Sequence, residues 1–176
     1  LGSRDLEAGI ELVQHDVTTP LPVRGDVLVS RFLLTHLRDP VDTLRTWRMS
    51  SPTLLILEEL VKMQSELPVL SRYYELVALV QRAAGQDMHV GARLGELAVQ
   101  AGFSLESYCV QPLELPVRAM AKLHALNLPT LRTQAVVAQH FATAELDAMQ
   151  RSLEQHALEG SGVVRVDMAR CRAVLA

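Results

Sequence analysis

The residues able to do chemistry are few. Glu58 and Glu59 close the apolar run TLLIL, Thr53 to Leu57. A carboxylate at that place could orient an amine or hydroxyl nucleophile or accept its proton, and it could equally just leave a strand for water. His36, in FLLTHLRDP, falls on an apolar helical face, where it is either a general base or a satisfied structural histidine. Tyr73 and Tyr74 are adjacent in a helical pattern, so one of the pair is expected to face the core; either could shape a pocket or simply pack. Asp16 follows the apolar run IELV and either caps the turn before Pro20 or stands at a strand end where ligands bind. Ser30 and Arg31 end a second apolar run, and Arg31 could pair with Asp26 or Asp39.

Other chemistries are excluded by spacing. His15, His89, His124, His140 and His156 form no H-x-x-x-H or H-x-x-E-H pattern, and Cys109 and Cys171 form no CxxC. No metal site is expected. Two cysteines make no disulfide framework, and a reducing compartment fits them.

The elements that must position these residues are short apolar runs alternating with helical patterns. IELV, Ile10 to Val13, bounded by Gly9 and His15, reads as a buried strand. After a loop with two prolines and a glycine, DVLVS, Asp26 to Ser30, reads as a second, with the near-continuous apolar character of a parallel strand covered on both faces. Pro40 splits the following segment: a short helix ends near Asp39, which becomes the N-cap of the next. Thr53 to Leu57 is the third strand. Leu67 to Ala84 is helical with Leu70, Tyr74, Val77 and Val80 on one face, and Gly91 to Ala101 is a helix terminated by Gly102. FSLESYCV, Phe103 to Val110, alternates as a strand. From Val117 to about Leu158 the pattern is helical in two or three pieces broken near Pro129, and VVRV, Val163 to Val166, starts a last strand running towards Val174. The order predicts a three-layer α/β sandwich around a mainly parallel sheet, one domain over 1–176, with a helical insertion at 117–158 that makes a lid or a dimer contact.

The bulk composition fits one such domain. The chain has 176 residues, 49% of them hydrophobic, enough for a single sizeable core. Seventeen basic and 20 acidic residues, net −3, give no electrostatic footprint for nucleic acid. No apolar run reaches the roughly 18 to 20 residues that cross a bilayer, so no membrane partner and no signal peptide are expected, and the location expected is the cytoplasm.

The ordered run IELVQHDVTTPLPVRGDVLVSRFLLTHLRDPVDTL, Ile10 to Leu44, followed by LLILEEL and HVGARLGELAVQAGF, resembles the class I S-adenosylmethionine-dependent methyltransferases, covering residues 9 to 111 well and the rest loosely. The resemblance implies a Rossmann-like sheet. It implies that Asp16 hydrogen-bonds the adenine amine of S-adenosylmethionine with the Val17 amide near the ring nitrogen, and that Ser30 and Arg31 border the methionine part. It also implies that Glu59, Tyr73 and Tyr74 lie on the side of a small-molecule methyl acceptor, with His36 and Glu59 the candidates for a catalytic base.

One part of the family pattern is missing. No G-x-G precedes the match, and no Pro-Gly-Gly turn precedes the third strand, where WRMSSP stands. Glycines let the backbone approach a dinucleotide-like ligand closely, so the cofactor grip is incomplete. By the same resemblance the sheet is incomplete on its N-terminal side: IELV lacks a neighbour, and DVLVS becomes an apolar edge of the kind that pairs with another chain, which favours a homo-oligomer. A fragment of an enzyme, a chain completed by a partner, and a degenerate protein that pairs differently all stay open. The functional expectation is a methyltransferase acting on a small molecule. The alternatives are a non-catalytic methyltransferase-like protein acting through partner binding or dimerisation, and an unrelated α/β interaction domain.

Overall fold

The computed structural model describes residues 10–50 and 52–176. β1 (Val27–Arg31) and β2 (Leu54–Gln64) are parallel, with Val27 opposite Leu54 and Arg31 opposite Glu58. A parallel pair needs a crossover, supplied by a 3-10 turn at Leu34–His36 and α1 (Pro40–Arg48). Asp39 caps α1 as the sequence predicts: its carboxylate accepts the Asp42 N–H at 2.9 Å, and Pro40 occupies the first turn, where a missing N–H is harmless. α2 (Pro68–Ala83), a 3-10 turn at Val90–Arg93 and α3 (Leu94–Gln100) lead to β3 (Phe103–Pro116). After α4 (Val117–Leu131), α5 (Ala135–His140) and α6 (Thr143–Glu159), β4 (Val163–Leu175) inserts antiparallel between β2 and β3. The open sheet runs β1-β2-β4-β3, a Rossmann-like α/β arrangement with the helical insertion before its last strand.

Five strand expectations change. Among the described residues the sheet is not mainly parallel, because β4 runs antiparallel to both β2 and β3 and leaves β1 with β2 as the parallel pair. β1 is not covered on both faces, since Val27 and Val29 are 54% and 61% exposed. Ile10–Val13 is not a strand: Ile10, Leu12 and Val13 are 54%, 77% and 48% exposed, because no described strand lies beside them to complete a ladder. β2 does not end at Leu57 but continues through Glu58 and Glu59 to Gln64, since β4 pairs with it along its whole length as far as Gln64 opposite Arg165. Glu59 is therefore a strand residue, not a strand-end one. β3 likewise runs past Val110 to Pro116 because Pro116 still has a partner, Val163.

β2 and β4 each serve two cores. In β4 the buried residues are Val164, Val166 and Met168, then Ala169, Cys171 and Ala173, so the buried side changes between Met168 and Ala169. In β2 the change comes between Glu59 and Leu60. Leu55, Leu57, Ala169, Cys171 and Ala173 pack with Leu44 and Trp47 of α1 and Leu94, Leu97 and Ala98 of α3. Leu60, Val164, Val166 and Met168 pack with Leu70 of α2, Leu128 of α4 and Leu153 of α6. Helices thus cover both faces of the sheet, at opposite ends of its strands.

The insertion joins the second core with its backbone satisfied. Pro129 sits inside α4 and leaves the carbonyl of Ala125 without its helical donor; Gln150 of α6 donates to that oxygen at 3.1 Å. The helical break falls after Leu131, a few residues beyond the proline. The expectation that one of Tyr73 and Tyr74 faces the core is also corrected, since they are 2% and 9% exposed. Both are covered because α2 packs on α4, α5 and α6 as well as on the sheet-end residues. No helix among the described residues is long and apolar enough to cross a membrane.

Candidate functional site

The corner that leaves β1 holds a constrained stretch of backbone. Ser30 is buried, with its hydroxyl unpartnered, and Phe32 adopts φ 52°, the left-handed region that a bulky side chain enters only under constraint. The constraint is visible on both sides of Phe32. Its own N–H donates to the Glu58 carbonyl at 3.0 Å, and the next two amides, Leu33 and Leu34, donate to Glu59 Oε1 at 2.8 and 2.7 Å. Glu59 is 0% exposed and its Oε2 has no partner. Burial pushes its carboxyl above the usual 4.5, with the Leu34 and Leu33 amides opposing that shift. The same turn is backed by Gly91, where a Cβ would stand 2.5 Å from the Leu60 carbonyl oxygen and 2.6 Å from that of Glu59.

Glu58, one residue earlier, faces the other side of the sheet. Register places it between Arg31 of β1 and Arg170 of β4, and it accepts from Arg170 Nε at 2.6 Å and lies 3.6 Å from Arg31 Nε. Arg31 therefore pairs with Glu58, not with Asp26 or Asp39, because the parallel register sets the two side by side. Its guanidinium also covers the Phe32 ring at 5.4 Å.

Asp16 and Val17 lie in an exposed turn tied down at one point. Asp16 Oδ1 accepts the Thr18 N–H at 3.0 Å and the Thr18 hydroxyl at 2.8 Å, which holds its carboxyl below the usual range. Oδ2 has no partner among the described residues. The Val17 carbonyl accepts the indole N–H of Trp47 at 2.7 Å, and the Val17 side chain packs on the core that contains Leu34, Leu44 and Trp47. The turn and the corner after β1 thus rest on one cluster. Trp47 was not singled out in the sequence, although the chain's one tryptophan, once buried, needs an acceptor for its N–H.

His36 and Tyr73 meet at one cavity of about 340 Å³ between the 3-10 turn, α2 and α4, whose polar lining includes Gln81 and Asn127. Gln81 is 7% exposed with its Oε1 unpartnered, a feature that no sequence signal marks. Tyr74 does not share this space. It lines a separate cavity of about 410 Å³ with Met63, Met88 and His89. Between the two tyrosines stands His124 of α4, stacked on Tyr73 with ring centroids 4.2 Å apart and with Nε2 3.3 Å from the Tyr74 hydroxyl. Burial depresses His124 to about 4 and pushes Tyr73 up to about 12. A larger cavity of about 700 Å³, beside Arg45, Arg48 and Gly102, holds none of the candidate residues. Among the described residues no group of three or more His, Cys, Asp or Glu side chains could hold a metal ion.

No protein-family model and no curated protein sequence matches the chain. Solved structures do. A candidate methyltransferase of Bacillus halodurans C-125 superposes with a TM-score of 0.54 at 12% identity, over 94% of this chain and 77% of that one. The YcgJ protein of Bacillus subtilis gives a TM-score of 0.50 at 13% identity, over 93% of this chain and 70% of that one. The chain spans only 55% of the [4+2]-cyclase SpnF, at a TM-score of 0.46 and 18% identity over 92% of this chain. These superpositions match the open mixed α/β sheet at the level of the fold: the chain has the fold of the class I S-adenosylmethionine-dependent methyltransferases.

Proposed function

We propose that the chain is the acceptor-bearing part of an S-adenosylmethionine-dependent methyltransferase that acts on a small molecule. The observation that carries this reading is the corner after β1, a left-handed Phe32 clamped by the Glu58 carbonyl and the Glu59 carboxylate. Backbone strain of this kind, roughly 1 to 3 kcal/mol, persists where the surroundings over-determine it, and it concentrates at ligand sites. A ligand in an open α/β sheet binds outside the carboxyl ends of the strands, and this corner is such an end.

In this reading Asp16 Oδ2 accepts from the adenine amine, the Val17 amide meets the ring, and Ser30 and Arg31 border the methionine moiety. The cofactor supplies an activated methyl group, so the chain's task is to hold two groups in line. His36, exposed at the acceptor cavity beside Tyr73, is the group placed to take a proton from the acceptor. Glu59 acts as a positioning residue, because its carboxylate is occupied by the Leu33 and Leu34 amides. Tyr74 supports the acceptor side through His124. The glycine-rich contact to the cofactor has no counterpart in the 176 residues, so the cofactor affinity of the chain as given is expected to be low.

Amide-shift mapping with S-adenosylhomocysteine at millimolar concentration tests this. Shifts are expected at Asp16, Val17, Ser30 and Arg31, and Asp16→Ala should remove those at Val17 while leaving the melting temperature nearly unchanged. Saturating nucleoside with no shift at any of the four overturns the assignment.

A further inference from the structure

A cavity of about 700 Å³ lies where α1, α3 and β4 end. Leu175 borders it, and its neighbour Val174 pairs with Leu54 at the start of β2, whereas the corner after β1 begins at Arg31, opposite Glu58. Four strand residues, roughly 13 Å, separate those two levels of the sheet. This space is therefore no part of the site proposed above.

The charged side chains of its lining are Arg45 and Arg48, and no Asp, Glu or Lys side chain joins them. Both belong to the last turn of α1, where the helix dipole favours a cation. The dipole does not account for where the two guanidinium groups go, because both cross to the end of α3. Arg45 Nη2 donates to the Gln100 carbonyl at 3.2 Å. The Arg48 guanidinium lies on Gly102, its Cζ 3.3 Å from where a Cβ would stand. Residues 100 and 102 are within about 7 Å of each other, so the two groups flank one spot.

Neither guanidinium is paired with a carboxylate among the described residues. The C-terminal ends of α1 and α3 offset about half a charge each, which leaves about one positive charge unbalanced. An anion supplies the balance. The two oxygens of a carboxylate are filled by a single guanidinium fork, whereas two forks at one spot suit the three terminal oxygens of a phosphate monoester. Beside them Met49, 69% exposed, and Leu175 offer an apolar surface to the rest of such a molecule. The volume suits one, since small-molecule pockets run roughly from 300 to 1,000 Å³.

We propose that Arg45 and Arg48 hold the phosphate group of a phosphorylated small molecule whose organic part rests against Met49 and Leu175. The site does not depend on the methyltransferase reading, and its test uses no cofactor.

That test is a titration of the 176-residue chain with phenyl phosphate, followed by the Gly102 amide shift and the Nε–H shifts of Arg45 and Arg48. It is run near pH 8, where the phosphate is a dianion, and at about 50 mM salt, where screening is modest. Saturable binding in the millimolar range or tighter is expected, with inorganic phosphate and benzoate each several-fold weaker and phenol weaker still. Arg45→Gln and Arg48→Gln should each weaken phenyl phosphate about tenfold, the loss of one charge-assisted contact. Both side chains are exposed, so the melting temperature should hardly move. Arg118→Gln, which removes the same charge from the exposed side of α4, should leave the affinity as it was. No saturation by about 10 mM, binding of phenol, benzoate or inorganic phosphate as tight as that of phenyl phosphate, or a loss in Arg118→Gln equal to that in Arg48→Gln overturns the proposal.

Discussion

Glu59 Oε1 receives the Leu34 N–H at 2.7 Å from a side chain with no solvent exposure, so a strand of the core holds the entrance of the turn that follows its neighbour. Glu59→Ala leaves the Leu33 and Leu34 amides without an acceptor and should destabilise the fold by about 2 to 4 kcal/mol. Glu59→Gln keeps an acceptor oxygen and should stay within about 1 kcal/mol of the parent at neutral pH. The pH dependence has a definite sign. The folded carboxyl titrates above 4.5, so the folded state holds its proton longer than the unfolded chain does. The stabilisation it contributes is full below 4.5 and is lost as pH rises through the raised value. Urea midpoints of parent and Glu59→Gln measured across pH 4 to 8 should therefore diverge in favour of the Gln variant as pH rises.

His124 should show the opposite slope. Its folded value lies near 4 against 6.5 when unfolded, so the unfolded chain takes up the proton first as pH falls. Stability present above 6.5 is lost towards pH 4, by up to about 3 kcal/mol. His124→Phe keeps the stack on Tyr73 and cannot be protonated. Its denaturation midpoint should stay flat between pH 7 and pH 4 relative to the parent's, and parallel curves for the two proteins would refute the assignment.

Features set by local chemistry were legible in the sequence, and features set by register were not. Asp39 before Pro40 announces an N-cap, and Gly102, at φ 89°, announces the end of α3, because each answers to its own backbone. The end of β2 is fixed by β4, more than a hundred residues away in sequence, so the acidic pair Glu58-Glu59 read as an exit when it is mid-strand. IELV has a strand's composition, but composition does not supply a neighbour. Of the candidate site, His36 and Tyr73 were nameable from residue type, and the structure puts them at one cavity. Gln81 was not, because a glutamine inside a helical pattern carries no sign of whether its amide finds a partner.

Gly91 is required by contact, not by conformation. A Cβ there meets the carbonyl oxygens of Leu60 and Glu59 at 2.5 and 2.6 Å, and both belong to the central strand β2, which cannot yield without disturbing its pairing. Gly91→Ala should lower stability by about 2 to 3 kcal/mol and loosen the corner held by Glu59. Gly162, at φ 86° with nothing within 4 Å of an added Cβ, is the control. Gly162→Ala should cost about 1 to 2 kcal/mol from backbone strain alone and leave the amide shifts of Leu33 and Leu34 in place. If the two substitutions perturb Leu33 and Leu34 alike, the contact argument fails.

Trp47 links the core to the Asp16 turn through its indole N–H on the Val17 carbonyl at 2.7 Å. Trp47→Phe removes that donor and part of the buried volume, and a loss of about 2 kcal/mol in global stability is expected. A global loss alone would say only that a core residue was changed. The diagnostic readout is the Thr19 amide, which donates to the Asp16 carbonyl at 3.0 Å and closes the turn. Without its anchor the turn should open locally, so Thr19 should exchange its amide hydrogen faster by more than the global loss accounts for, while Leu57 in the core follows the global value. S-adenosylhomocysteine shifts at Asp16 and Val17 should weaken in the same variant, with those at Ser30 and Arg31 less affected. Equal loss of protection at Thr19 and Leu57 would mean that Trp47 only fills the core, and that the turn keeps its shape without it.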